Sequence, residues 1–136
     1  MLRILLAEDN PGDVRLFTEA LNSRNIKFDL SLAEDGQKAL AMIQRVAAED
    51  PANSPDIIVL DVNLPKHNGD EVLRQLRAEP RLRGIPVVML TSSESPADQA
   101  RAVELGADLY IRKPSDLQEL MDIAKIIEDV VRRAKA

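Results

Sequence analysis

Five times along this chain a short apolar run gives way to a segment with helical periodicity, and that repetition leaves few folds open. The runs are residues 3–7 (RILLA), 28–33 (FDLSLA), 56–61 (DIIVLD), 85–92 (IPVVMLTS) and 108–111 (DLYI). The helical segments cover residues 11–25, a stretch opened by Gly36, a stretch from Gly69 that stops before Pro80, residues 96–106 and residues 115–134. In the first of them Val14, Leu16, Phe17, Ala20 and Leu21 form one apolar stripe, while Asp13, Arg15 and Glu19 face out. Pro11 suits a first helical turn, where its missing N–H is no loss. Gly106 suits the end of the fourth helix, and Ser115 or Asp116 the start of the fifth. Strict strand–helix alternation predicts an α/β fold, one parallel sheet with helices on both faces. DIIVLD is apolar without a break, as a strand covered on both sides requires. A chain of 136 residues makes one domain with a genuine core. The stretch AAEDPANSP (47–55) reads as a polar loop with little structure of its own.

Open parallel sheets keep their sites outside the carboxyl ends of the strands. Glu8 and Asp9 follow the first strand, Asp61 the third, Thr91 and Ser92 the fourth, and Arg112 and Lys113 the fifth. The second strand suits an edge position. Taken singly, these residues are turn formers, caps and surface amines; together they crowd one rim. With no cysteine, disulfides, thiolate catalysis and cysteine-bound metals are excluded, and the single histidine, His67, cannot build a histidine-rich metal site. An oxygen-only cluster suits a hard cation, and Mg²⁺ more than Ca²⁺, since no acidic twelve-residue calcium loop exists. Asp61 ends a buried strand, so its charge must be paired or metal-bound, and Lys113 is its expected ammonium partner. A carboxylate so placed can attack phosphorus and form an aspartyl phosphate, with the Thr91 hydroxyl, Lys113 and a cation on the phosphoryl oxygens. Asp35 and Asp70 lack such company and read as helix-cap material, and His67 as a loop residue.

Four blocks, LLAEDNPGD, IIVLDVNLPKHNGDEVL, VVMLTSS and GADLYIRKP, resemble in order the acidic pocket, phosphoacceptor, switch-threonine and lysine blocks of response regulator receiver domains from two-component signalling. The chain is most similar to the single-domain regulators of bacterial and cyanobacterial phytochrome histidine kinases, over about residues 3–131. That resemblance implies a (βα)5 doubly wound, flavodoxin-like sheet of strand order 2-1-3-4-5, one receiver domain over residues 1–136, and no output domain. It makes Glu8 and Asp9 the Mg²⁺-holding pair, with Asp9 the direct ligand and Glu8 acting through water. Asp61 becomes the phosphoacceptor, the Asn63 backbone carbonyl a further metal ligand, Thr91 the switch hydroxyl and Lys113 the phosphoryl ion-pair partner. Tyr110 becomes an aromatic that swings inward as Thr91 moves, and the Lys113–Pro114 peptide is expected to be cis. Glu8 departs from the Asp-Asp pair of many receivers, which bears on metal affinity.

The implied function is to take a phosphoryl group from a sensor histidine kinase, of the phytochrome type, onto Asp61. The change then passes to the surface of the fourth helix, fifth strand and fifth helix. Such a chain is not an enzyme beyond Mg²⁺-dependent self-phosphorylation from small donors and autodephosphorylation. Leu117, Leu120, Met121, Ile123, Ala124, Ile126, Ile127, Val130 and Val131 exceed one core-facing stripe, so a homodimer through that face is expected. A net charge of −5 argues against nucleic acid or an anionic membrane as the partner. No apolar run approaches the roughly 18 residues of a membrane span and no signal peptide is visible, so a cytoplasmic location is expected. Two alternatives compete. A docking module that is never phosphorylated is disfavoured by the intact Asp61, Thr91 and Lys113 set. An enzyme on the same rim is disfavoured because EDNPGD would repel a flavin phosphate, and because Asp9 is followed by Asn10 and Pro11, not by a second acid two residues on.

Overall fold

Alternation of side chains along each strand accounts for the layering seen in the computed structural model, which describes residues 1–92 and 95–135. Strands β1 (Leu2–Ala7), β2 (Phe28–Ala33), β3 (Ile57–Leu60), β4 (Val87–Thr91) and β5 (Leu109–Arg112) form one parallel sheet in the order β2-β1-β3-β4-β5. Between them run α1 (Pro11–Ser23), α2 (Gly36–Ala48), α3 (Gly69–Ala78) and α4 (Pro96–Leu105), and α5 (Leu117–Lys135) follows β5. Successive strand residues point to opposite faces. Leu5, Ala7, Ile58, Leu60, Val87 and Met89 therefore meet α2, α3 and α4, where Ile43, Val72, Leu73, Leu76 and Ala102 close the layer. Ile4, Leu6, Ile57, Val59, Val88 and Leu90 meet Phe17 and Leu21 of α1 and Ile123, Ile127 and Val131 of α5. Each such large side chain contributes about 1.5–3 kcal/mol on burial. Edge strand β2 shows the expected compromise: Phe28 and Leu30 pack inward while Asp29 and Ser31 are exposed.

Local chemistry sets the ends of the helices. Asn10 caps α1 by accepting hydrogen bonds from the Gly12 and Asp13 N–H groups, with Pro11 at the first position. Asp35 caps α2 and Asp116 accepts from the Glu119 N–H at the start of α5. Gly106 ends α4 with φ +102°, the left-handed region that favours glycine. Arg77 of α3 anchors that end of α4: its guanidinium donates to the carbonyls of Gly106, Arg83 and Ile85 and pairs with Asp108.

Several expectations need correction. Leu16 lies off the buried stripe of α1 and is exposed, because Phe17, Ala20 and Leu21 already fill the i, i+3, i+4 face. The 47–55 stretch is not unstructured. It holds a 3₁₀ turn at Pro51–Asn53 capped by Asp50. Arg3 donates to the Ala52 carbonyl, and Arg81 to those of Ala47 and Glu49. Asp70 is no cap. Asn68 takes that role, and Asp70 is buried on α3, paired at 3.2 Å with Arg101 of α4. The Lys113–Pro114 peptide is trans, as no described peptide bond is cis, in line with the modest intrinsic preference for trans at X–Pro. Ser93, the last residue of the VVMLTSS block, lies outside the described residues. Among the described residues, no helix is long and apolar enough to cross a membrane.

Candidate functional site

Parallel strands deliver their last residues to one rim, and β1, β3, β4 and β5 place Glu8, Asp61, Thr91 and Lys113 there. Backbone bonds fix the stations: the Glu8 N–H donates to Ala33 O, the Asp61 N–H to Ala7 O, and the Lys113 N–H to Thr91 O. One carboxylate oxygen from each of Glu8, Asp9 and Asp61 lies within 4.8 Å of the others, the one such acidic group among the described residues. Glu8 and Asp61 are buried, 4% and 5% exposed, while Asp9 faces solvent. The Asn63 N–H donates to Asp61 Oδ1 at 3.2 Å and the Asn10 N–H to Glu8 Oε2 at 3.2 Å. Close chain approach also shapes the rim. A Cβ on Gly69 would lie 2.3 Å from the Asp61 carbonyl oxygen, and one on Gly36 would lie 1.7 Å from that of His67. Glycine at these positions lets α3 start against the end of β3 and lets the loop after β3 rest on the start of α2.

Three carboxyl groups in a confined space call for positive charge, and among the described residues one ammonium meets them. Lys113 Nζ lies 2.8 Å from Glu8 Oε1, 3.0 Å from Asp61 Oδ2 and 2.8 Å from Asp13 Oδ2. Burial pushes the Glu8 carboxyl up to about 7, against the opposing pull of the Lys113 and Asn10 hydrogen bonds, and the Asp61 charge adds to the rise. Burial also disfavours the charged form of Lys113, but its bonds to Asp13, Glu8 and Asp61 outweigh this and raise its pKa above the ordinary lysine value. An excess of carboxylate that one lysine cannot fully offset fits a divalent cation: every side-chain donor is an oxygen, as hard cations require.

The expected site residues fare differently. Glu8, Asp9, Asp61 and Lys113 converge. Thr91 is wholly buried at the end of β4, in register with Arg112. Asn63 adjoins Asp61 through its N–H. Tyr110 packs against the cluster beneath α3 and α4, its buried hydroxyl without a hydrogen-bond partner among the described residues. The ring thus already lies inward in this structure. Sequence reasoning missed Asp13, which faces the site and binds Lys113. The signal was present in NPGD: Asn10 as cap and Pro11 at the first position put Asp13 in the first turn, overhanging the end of β1.

The response regulator receiver domain family matches residues 4–125. The response regulator Rcp1 of Synechocystis sp. (strain ATCC 27184 / PCC 6803 / Kazusa) is 38% identical over 92% of this chain and 85% of its own length. The DNA-binding response regulator MtrA of Mycolicibacterium smegmatis (strain ATCC 700084 / mc(2)155) is 35% identical over 88% of the chain, which spans 47% of that relative. The crystal structure of the Mn(2+)-bound form of Rcp1 superposes with a TM-score of 0.80 at 37% identity, covering 94% of this chain and 92% of the other. The phosphorylated cyanobacterial phytochrome response regulator RcpA superposes at 0.81 and 38% identity, covering 94% and 91%.

Proposed function

We propose that this chain, which belongs to the response regulator receiver domain family, accepts its phosphoryl group on Asp61 and relays that event to the face formed by α4, β5 and α5. The family acts in signalling, and its members are in general not enzymes. The observation that carries the residue-level reading is the convergence of Glu8, Asp9, Asp61 and Lys113 at the carboxyl rim.

In this reading the Asp61 carboxylate attacks the phosphorus of a phosphohistidine; the new P–O bond forms as the P–N bond breaks and the imidazole leaves. Lys113, already at Asp61 Oδ2, neutralises charge on the phosphoryl oxygens, and the Thr91 hydroxyl donates to them. Glu8, Asp9, Asp61 and the Asn63 carbonyl are the groups that would hold Mg²⁺. Bound there, the cation supplies electrostatic stabilisation of the transferred group. The all-oxygen donor set supports Mg²⁺. Small phosphoryl donors serve in place of the kinase, and hydrolysis of the acyl phosphate resets the chain. The new group adds about −1.5 to −2 charge, draws Thr91 toward it, and shifts the packing of Tyr110.

Likeness to Rcp1 and RcpA supports a sensor histidine kinase of the phytochrome type as donor, and with it a cytoplasmic location. A homodimer through the α4-β5-α5 face is supported by Val103, Leu109 and Leu117, one exposed apolar residue on each of the three elements. The test is mass spectrometry after incubation with acetyl phosphate and Mg²⁺. Wild type gains one phosphoryl group, mapped to Asp61, and Asp61→Asn gains none. If wild type gains none, the chain is a docking module and the reading fails.

A further inference from the structure

An ammonium carries three hydrogens, and Lys113 meets three acceptors, one carboxylate each from Glu8, Asp13 and Asp61. Glu8 and Asp61 belong to the group that converges with Asp9, whereas Asp13 does not. Asp13 stands apart in exposure as well, its side chain 34% exposed against 4% for Glu8 and 6% for Asp61. Its station is fixed independently of the pocket. The Asp13 N–H is tied to Asn10 Oδ1, and Pro11 starts the helix. A short, capped helical start thus presents one carboxylate to the outer side of Lys113 and to no other cation among the described residues.

A divalent cation and the Lys113 ammonium are like charges that want the same oxygens of Glu8 and Asp61. Left with those two partners alone, Lys113 would compete with the metal for them. We infer that Asp13 is a positioning residue that holds the Lys113 ammonium at the outer wall of the pocket. Metal and lysine can then occupy the site together, and the lysine stays within reach of Asp61. The inference rests on the reading that the pocket takes Mg²⁺. It assigns to Asp13 an effect on metal affinity that acts through Lys113.

A double-mutant cycle on Mg²⁺ affinity tests it, followed by amide shifts of residues 8, 9 and 61 in wild type, Asp13→Asn, Lys113→Ala and the double variant. In the wild-type background Asp13→Asn weakens Mg²⁺ binding about fivefold, the scale of a partly exposed ion pair. Asp13→Glu restores most of that loss. In the Lys113→Ala background the same change alters affinity by no more than about twofold, the spread of independent sites. An equal loss in both backgrounds would mean that Asp13 acts on the metal through space, which overturns the inference, as does no loss in either. Should Lys113→Ala fail to fold, Lys113→Met keeps the packing of the stem and completes the cycle. The two readings fail separately. A wild-type chain that binds no Mg²⁺ sinks the cation reading, whereas normal Mg²⁺ binding with an uncoupled Asp13 sinks this one alone.

Discussion

Glu8 is buried and acidic, and its carboxyl is pushed up to about 7. In the unfolded chain it ionises near the ordinary glutamate value of 4.5. Between those two pH values the native state binds more protons than the unfolded state, so stability falls as pH rises through the window. Each pH unit is worth about 1.4 kcal/mol, so the whole rise removes about 3 kcal/mol of stability by pH 8, all of it in the metal-free protein. Replacing Glu8 with glutamine removes the titration while keeping the shape. Urea unfolding of wild type and Glu8→Gln in EDTA, at roughly pH 4 and pH 8, isolates the contribution as a difference of differences. The expected result is that Glu8→Gln gains about 3 kcal/mol on wild type between the two ends, with most of the gain between about pH 5 and pH 7. Mg²⁺ prefers the ionised carboxylate, so its affinity for wild type should weaken as pH falls below about 7 and should lose this dependence in Glu8→Gln. Parallel stability curves for the two proteins would refute the reasoning, since they would mean that Glu8 titrates alike in both states.

Gly69→Ala should hinder acetyl phosphate labelling of Asp61 and lower stability by several kcal/mol, because its Cβ would lie 2.3 Å from the Asp61 carbonyl oxygen; urea unfolding and mass spectrometry read the two effects. Arg81→Ala should free the 47–55 stretch, giving faster cleavage there by limited proteolysis with labelling of Asp61 unchanged. Leu117→Asp should leave the melting temperature within a few degrees of wild type, since the side chain is 71% exposed, yet abolish any dimer seen by sedimentation. Arg101→Ala should destabilise the chain by leaving the buried Asp70 carboxylate unpaired, and Asp70→Asn should offset much of that loss in the double variant.

Residues placed by topology were legible, and residues placed by packing were not. Glu8, Asp61, Thr91 and Lys113 could be found because a parallel sheet sends every strand end to one rim, and strand ends are visible as breaks in apolar runs. Asp13 escaped because helical periodicity sorts residues into core and solvent, and a residue over the strand ends belongs to neither class. Asp70 was misread because NGD offers two competent capping side chains. The first took the role, and the second was carried beneath α4 to Arg101. The 47–55 stretch looked idle since its ties come from Arg3 and Arg81, distant in sequence and indistinguishable there from solvated surface.

The guanidinium of Arg77 gives α4 a fulcrum. By gripping the carbonyls of Gly106 and Ile85 and the carboxylate of Asp108, it rivets the far end of that helix to the floor of the sheet. A ten-residue helix is about 15 Å long. A tilt about the riveted end is therefore felt most at Pro96, next to the rim, and least at Leu105, and Arg101 with its Asp70 latch rides midway along the lever.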